Sequence, residues 1–395
     1  MNLNFAKALP IIVLLYVAAL HTSMAAMETF VFLILAIVLG RAIYLKQNIF
    51  SREDIPLVLI LSCLFLSSLL SLLLTPVERP ILQQLGFLRW MVMLFALRQI
   101  LREVWSQAFD QRLRQVWIFL TLITGLYAVA QCLTGIDLIR PDQGVVFPQA
   151  GGIYKAVGFF SFSLTFAYTM GLSMFSISLP ALQTKPKVWA WLAIVFGALG
   201  VVASMSRGAW VAAVICTFFY LCFKKRRWIL PFAGILLVGL FILNLVSHGF
   251  YDRIAQLASM HLDNSSSVRL DIWRGYFAMF KDYPLFGSGL FDGDKLLPAY
   301  YERLGIVQPF VSHAHNNFLQ WLAGTGIAGF TFYTLLVGYF LKLTWAIRDK
   351  SPWGWSLLLA QVFFHLGGMT ECNFFDGEVN HFVIFIWAMV LRARA

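Results

Sequence analysis

Apolar runs of membrane-spanning length follow one another along nearly the whole chain, and they limit its fold more than any other feature. A helix needs about 20 apolar residues to cross a bilayer, and it satisfies its own backbone hydrogen bonds there. Of the 395 residues, 60% are hydrophobic and only 12% charged, whereas soluble proteins carry about 25% charged residues. These features predict an all-α polytopic membrane protein in which lipid covers most of the apolar surface. Twelve spans are expected, at 8–21, 27–45, 55–75, 81–100, 115–133, 154–180, 188–204, 208–223, 228–247, 319–345, 353–370 and 379–392. Residues 1–247 then hold transmembrane helices 1–9, residues 248–318 a large external loop, and residues 319–395 transmembrane helices 10–12. The first run also fits the three-part pattern of a secretory leader, with Lys7, then Leu9–Leu20, then Ser23-Met24-Ala25-Ala26.

Basic residues gather in alternate loops. One set of loops and both termini hold nineteen of the 30 Lys and Arg but five of the 19 acids, net +14 against −3 for the remainder. Lys and Arg mark the cytoplasmic side, so both termini are expected there and the less basic loops outside. This also explains a pI near 9.5. The charge lies along a membrane edge, where it meets anionic lipid, and forms no patch with interleaved aromatics of the kind nucleic acid needs. The five cysteines, Cys63, Cys132, Cys216, Cys222 and Cys372, include no CxxC pair and read as small packing residues.

Two external connections are long. One covers about 134–153 and contains Asp137, Arg140 and Gly151-Gly152. The other, 248–318, holds an amphipathic helix over Ser265–Asp282, with Ser265, Ser266 and Ser267 as cap candidates and Pro284 with Gly287-Ser288-Gly289 as its end.

Four polar features face outward. Ser204-Met205-Ser206-Arg207-Gly208 joins two apolar spans. Its Arg either snorkels to mark the membrane edge or binds an anion, since a guanidinium beside hydroxyls and a glycine suits phosphate. Arg269, four residues before Trp273, is either a surface charge or a second anion ligand. His313 and His315 stand two apart at a membrane boundary, where spanning lipid does not require them. His315-Asn316 precedes a helix start at Asn317, and the positive end of a helix disfavours an imidazolium, which suits a neutral base. Glu371, Asp376, Glu378 and His381 crowd one short loop, where a carboxylate could orient that base. Asp292-Gly293-Asp294 resembles a metal-binding DxD but is also an ordinary turn signal, and no metal site or cofactor is expected. Gly287-x-Gly289 lacks the preceding strand and third glycine of a dinucleotide fingerprint. Arg89 lies inside the fourth span, either lining a cavity or paired with an acid.

These residues resemble the O-antigen ligase family, part of the O-antigen ligase/polymerase superfamily. The resemblance rests on Ser206-Arg207-Gly208, on Arg269 with Trp273, on His315-Asn316 followed after nine residues by Gly326 and then Gly329, and on the acidic segment from Thr370 and Glu371 to Glu378. His313 also has ten residues before a glycine, Gly324, but Ala314 follows it where the pattern has Asn, Ser or Gln. The resemblance implies a GT-C-like glycosyltransferase of the bacterial inner membrane with a periplasmic site. Its donor would be polysaccharide on undecaprenyl pyrophosphate, and its acceptor a sugar hydroxyl of lipid A–core. It implies His315, Arg207 and Arg269 as catalytic residues, with Arg207, Arg269 and Ser206 binding the donor. His313, Asn316, Glu371, Asp376, Glu378 and Arg89 would be auxiliary, and transfer would be metal-independent and inverting. Related alternatives are an O-antigen polymerase and a protein O-oligosaccharyltransferase. The alternative from another class is a secondary transporter or lipid flippase, which places ionisable residues near the midplane; here they mostly avoid span centres.

Overall fold

A computed structural model describes residues 3–46, 48–74, 81–141, 144, 146–247, 255, 264–307 and 310–394. Its helices are α1 (Leu3–Thr22), α2 (Met24–Leu45), α3 (Ile55–Leu74), α4 (Ile81–Val104), α5 (Gln107–Thr134), α6 (Ser163–Ala181), α7 (Lys187–Ala203), α8 (Arg207–Lys224), α9 (Ile229–Val246), α10 (Asn264–Asp282), α11 (Gly293–Leu304), α12 (Asn317–Ile347), α13 (Gly354–Gly367) and α14 (Gly377–Arg394). All but α10 and α11 fall on the expected spans. Among the described residues, seven helices are long and apolar enough to cross a membrane, and three shorter apolar ones accompany them. The other two, α4 and α14, carry more polar and charged residues, including Arg89, Arg98 and Arg102 in α4 and Glu378, Asn380 and His381 in α14.

The interior is aromatic. Trp117, Trp321 and Trp387 are almost wholly enclosed, and Trp387 stacks on Phe340 with centroids 4.3 Å apart. α14 runs through this interior, buried from Val379 to Leu391. α1 packs into it as well, through Val13, Tyr16, Val17 and Leu20. α9 lies at the periphery, with Leu230, Leu237, Phe241 and Leu245 exposed. A band of that kind would be an aggregation hazard in water and is the expected face toward lipid.

The sixth span is shorter than the apolar run predicts. Residues 154–162 do not begin a helix: Tyr154–Lys155 pairs antiparallel with Phe147–Pro148, and Gly158 turns with φ +55°. Gln131 explains the delay. Its Oε1 accepts from the amides of Val157 and Gly158 at 3.1 and 2.8 Å, and its Nε2 donates to the Gly158 carbonyl, so a side chain satisfies this backbone where a helix would. The eleventh expected span, 353–370, likewise ends at Gly367, because residues 368–370 form turns. In the large loop, Ser265–Ser267 lie inside the first turn of α10, not before it. Asp292-Gly293-Asp294 opens α11, with Asp292 at the N-cap position and Asp294 in the first turn. Tyr300 and Arg303 of α11 both donate to Asp282 at the end of α10, at 2.8 and 2.6 Å, pinning the two loop helices together.

The bundle has two chemically distinct ends. The basic loops meet at one, where Lys224 pairs with Asp349, Arg41 with Glu103 and Arg394 with Glu53. Arg114 reaches Gln183 there, and Trp353 reaches Asp110. The outward-read loops meet at the other, where Thr165 bonds Asp376, Gly208 abuts Thr370 and Gly377 abuts Met24.

Candidate active site

α12 starts where a helix-breaking and a helix-capping residue adjoin. Asn316 is its N-cap, and its Oδ1 accepts from the amides of Phe318 and Leu319 at 2.9 and 3.1 Å. Its Nδ2 donates to the Met369 carbonyl at 3.0 Å, tying the cap to the loop before α14. His315, one residue earlier, has φ +45°. That left-handed conformation is unfavourable for a non-glycine residue and persists only when its surroundings fix it. They do. The His315 amide donates to Nδ1 of His313 at 3.2 Å. On α10, Trp273 Nε1 donates to the Ala314 carbonyl at 2.8 Å and the Tyr276 hydroxyl to the Ser312 carbonyl at 3.1 Å. Gln320 accepts from the Ala314 amide at 2.9 Å.

Glu371 is the hub. Its carboxylate oxygens lie 2.9 and 3.1 Å from Nδ1 of His315, 3.7 Å from Nε2 of His313 and 3.6 Å from Nη2 of Arg269. Burial alone would raise its carboxyl, but the hydrogen bond from His315 and the charges around it prevail and hold it below the usual range. An ionised Glu371 can only accept, so Nδ1 of His315 carries a proton, and in the neutral ring the lone pair then falls on Nε2. Enclosure by protein pushes the His313 imidazole below its ordinary value, although 47% of its side chain reaches solvent.

Ser206 and Arg207 approach from α8. Ser206 is the N-cap residue, Arg207 opens the helix half-buried, and Met205 before them has φ +57°. Gly208 allows the closest approach: a Cβ there would collide with Oγ1 of Thr370 and sit 3.3 Å from the Tyr168 hydroxyl. Tyr168, from α6, was not anticipated. Its buried hydroxyl interacts with the side chains of Ser206 and Thr370, within the field of Glu371 and Arg269, and donates to the Gly367 carbonyl at 3.3 Å. A tyrosine in an apolar run gives no sequence signal of this role.

Other expected residues lie elsewhere. Asp376 accepts from Thr165 and, at 3.2 Å, from the Val379 amide, anchoring the start of α14. Glu378 stands in the first turn of that helix and acts on Asp376 by charge. Arg89 pairs with Glu28 at 2.8 Å, in a separate group where Tyr16 bonds His381 at 2.9 Å. His313, His315 and Glu371 are the ligand types a divalent cation uses, with donor atoms within 4.8 Å of one another. The Arg269 guanidinium beside Glu371 opposes a second positive charge there.

These features define a polytopic helical membrane protein with an imidazole–carboxylate–guanidinium cluster at one end of its bundle. Residues 192–334, a little over a third of the chain, match the family model described as O-antigen ligase, and the match takes in all but the acidic segment of the motifs that carry the resemblance in the sequence. No curated protein matches it. The family is one of membrane glycosyltransferase-like enzymes acting, in coarse terms, on lipid-linked polysaccharide and lipid A–core. The matched stretch contains Arg207, Arg269, His315, Gly326 and Gly329, whereas Tyr168 and Glu371 reach the cluster from outside it.

Proposed function

We propose that this protein transfers polysaccharide from undecaprenyl pyrophosphate to a sugar hydroxyl of lipid A–core, at the periplasmic face of the inner membrane. The observation that carries this reading is the chain from Arg269 through Glu371 to His315. The acceptor hydroxyl attacks the anomeric carbon while Nε2 of His315 takes its proton. The bond from that carbon to the phosphate oxygen breaks, and its electron pair leaves with the lipid pyrophosphate. Arg207 and Arg269 bind that pyrophosphate and stabilise its growing charge, the part a metal plays in other transferases. A single displacement inverts the donor carbon. Glu371 orients His315 and stabilises the imidazolium that forms, as a carboxylate does behind other histidine bases. Ser206 adds a hydroxyl beside Arg207. The donor's lipid tail would lie between helices, with α10 and α11 over the sugar.

The test is transfer by purified protein between lipid-linked polysaccharide and lipid A–core. His315→Ala should abolish conjugate formation while the protein stays folded in the membrane. Glu371→Gln keeps the shape but removes the charge, and should lower kcat by about 10²–10⁴-fold. Arg207→Ala and Arg269→Ala should raise KM for the donor more than for the acceptor. Near-normal transfer by His315→Ala would refute the base assignment. Activity lost in chelator and restored by Mg²⁺ or Mn²⁺ would overturn the metal-independent mechanism. Joining of two lipid-linked donors without lipid A–core would make the protein a polymerase instead.

A further inference from the structure

We infer that a cavity at the basic end of the bundle binds the headgroup of an anionic phospholipid. The cavity measures about 520 Å³ and is lined by Leu182 and Gln183 beyond α6, by Tyr220 and Lys224 of α8, and by the turn from Arg348 to Trp355. Sites that hold small molecules enclose roughly 300–1,000 Å³. Its position follows from three helices. α6, α8 and α12 each begin at the His315–Glu371 end and finish at this cavity. α8 has 18 residues, which makes it roughly 27 Å long, close to the ~30 Å of bilayer hydrocarbon. The cavity therefore opens at the opposite membrane interface from the candidate active site, and this inference does not depend on the transfer reaction.

The lining fits a ligand with two unlike halves. Its charged rim holds Lys224, Arg348 and Lys350 against one acid, Asp349. Asp349 is engaged by Lys224, by Nε of Arg348 at 3.5 Å and by Trp355 Nε1 at 2.8 Å, so the rim keeps a surplus of positive charge. The wall is aromatic: Tyr220 and Trp355 meet edge to face with centroids 5.5 Å apart, and Lys224 lies over Trp355 at 5.5 Å. Arg348 of the rim lies over Trp345, next to the cavity, at 4.0 Å. There Phe223 and Trp345 pack edge to face with centroids 5.5 Å apart, 56% and 37% exposed. A phosphodiester suits the rim and an acyl chain suits the exposed rings. A soluble phosphate suits only the rim. Basic pockets between helices at the cytoplasmic interface bind acidic headgroups through this combination.

The experiment follows thermal unfolding of the purified full-length protein in detergent with added phosphatidylglycerol, phosphatidylcholine or inorganic phosphate. Phosphatidylglycerol should raise the midpoint, and the other two should not. Arg348→Gln with Lys350→Gln should weaken phosphatidylglycerol binding by about fivefold for each charge removed, with the midpoint in phosphatidylcholine unchanged. If the double variant does not fold, Lys350→Gln alone, at an exposed position, gives the single-charge step. An equal shift from inorganic phosphate would make this a soluble-anion site and overturn the lipid assignment. An equal shift from phosphatidylcholine, or an undiminished shift in the variants, would overturn it as well.

Discussion

Glu371 and Asp376 stand five residues apart, and their surroundings treat them oppositely. Glu371 is buried but faces an imidazole and a guanidinium, and it is held ionised. Asp376 is half-buried against the neutral donors Thr165 and Val379, and Glu378 repels it from the same turn; the partial loss of solvent raises its carboxyl from 3.8 to about 7. Carboxylates driven apart in this way take different roles, and only Glu371 touches the proposed base. The contrast has a consequence for stability. Asp376 titrates higher in the folded protein than in the unfolded chain, so its contribution is full below pH 3.8 and is lost as pH rises through about 7. Asp376→Asn keeps an acceptor for the Val379 amide and a partner for Thr165 without a charge. It should raise the unfolding midpoint at pH 8, with the gain vanishing toward pH 4. A midpoint difference that does not vary with pH would show that the half-buried charge is not what costs stability there. At this scale His315, Arg269 and Arg207 were legible as charges and imidazoles where lipid does not call for them. That a carboxylate of the 371–378 segment could orient the base was legible too; that it is Glu371, and that Arg269 and His313 share it, was not, because this depends on contacts with residues 56 positions or more away in sequence. Tyr168 was invisible for the same reason.

α12 shows what an element can hide. Its apolar period reads as one continuous span, yet Gly326 has φ +62° and ψ −166° and breaks it. The loop after α10 fills the break. The amides of Ser288 and Gly289 donate to the carbonyls of Ala323 and Gly324 at 2.9 and 3.1 Å, and those of Ile327 and Ala328 donate to Pro284 and Leu285 at 2.8 and 3.2 Å. Gln320 donates to the Leu290 carbonyl at 2.6 Å, and Ser71 of α3 accepts from the Gly289 amide at 3.0 Å. Irregular backbone within a membrane protein survives where protein groups satisfy it in this way. The spacing from His315 to Gly326 thus has a structural meaning: one stretch of helix separates the proposed base from the break that receives the loop. A side chain at Gly326 would collide with the backbone of Leu285 and Phe286 in a conformation that L residues avoid. Gly326→Ala should therefore cost about 1–3 kcal/mol from backbone conformation alone, and more from the collision, read as a lower unfolding midpoint. Gly338, with open space around it, is the control: Gly338→Ala should be neutral or mildly stabilising. Equal midpoints for the two variants would refute the account of the break.

At the scale of the whole molecule, the spans were legible because lipid imposes one rule on every residue of a run. The loops were less so, because their backbones are satisfied by particular partners such as Gln131. The alternation of charge along the sequence became two physical ends, with Lys224, Asp349, Arg394 and Glu53 at one and His315, Glu371 and Arg269 at the other. That geometry makes the proposed orientation testable from a single pair of positions. Val311 is 41% exposed beside the histidines, and Lys350 is exposed at the basic end. Among the native cysteines, Cys132, Cys216 and Cys372 are buried, whereas Cys63 and Cys222 are half-buried and would be replaced by alanine. In that background Val311→Cys should react with a membrane-impermeant maleimide in cells whose outer barrier is opened but whose inner membrane is intact. Lys350→Cys should react only after the inner membrane is permeabilised. Labelling in the reverse order would put the basic end outside. It would also place the His315 cluster on the cytoplasmic side, where a periplasmic transfer could not occur.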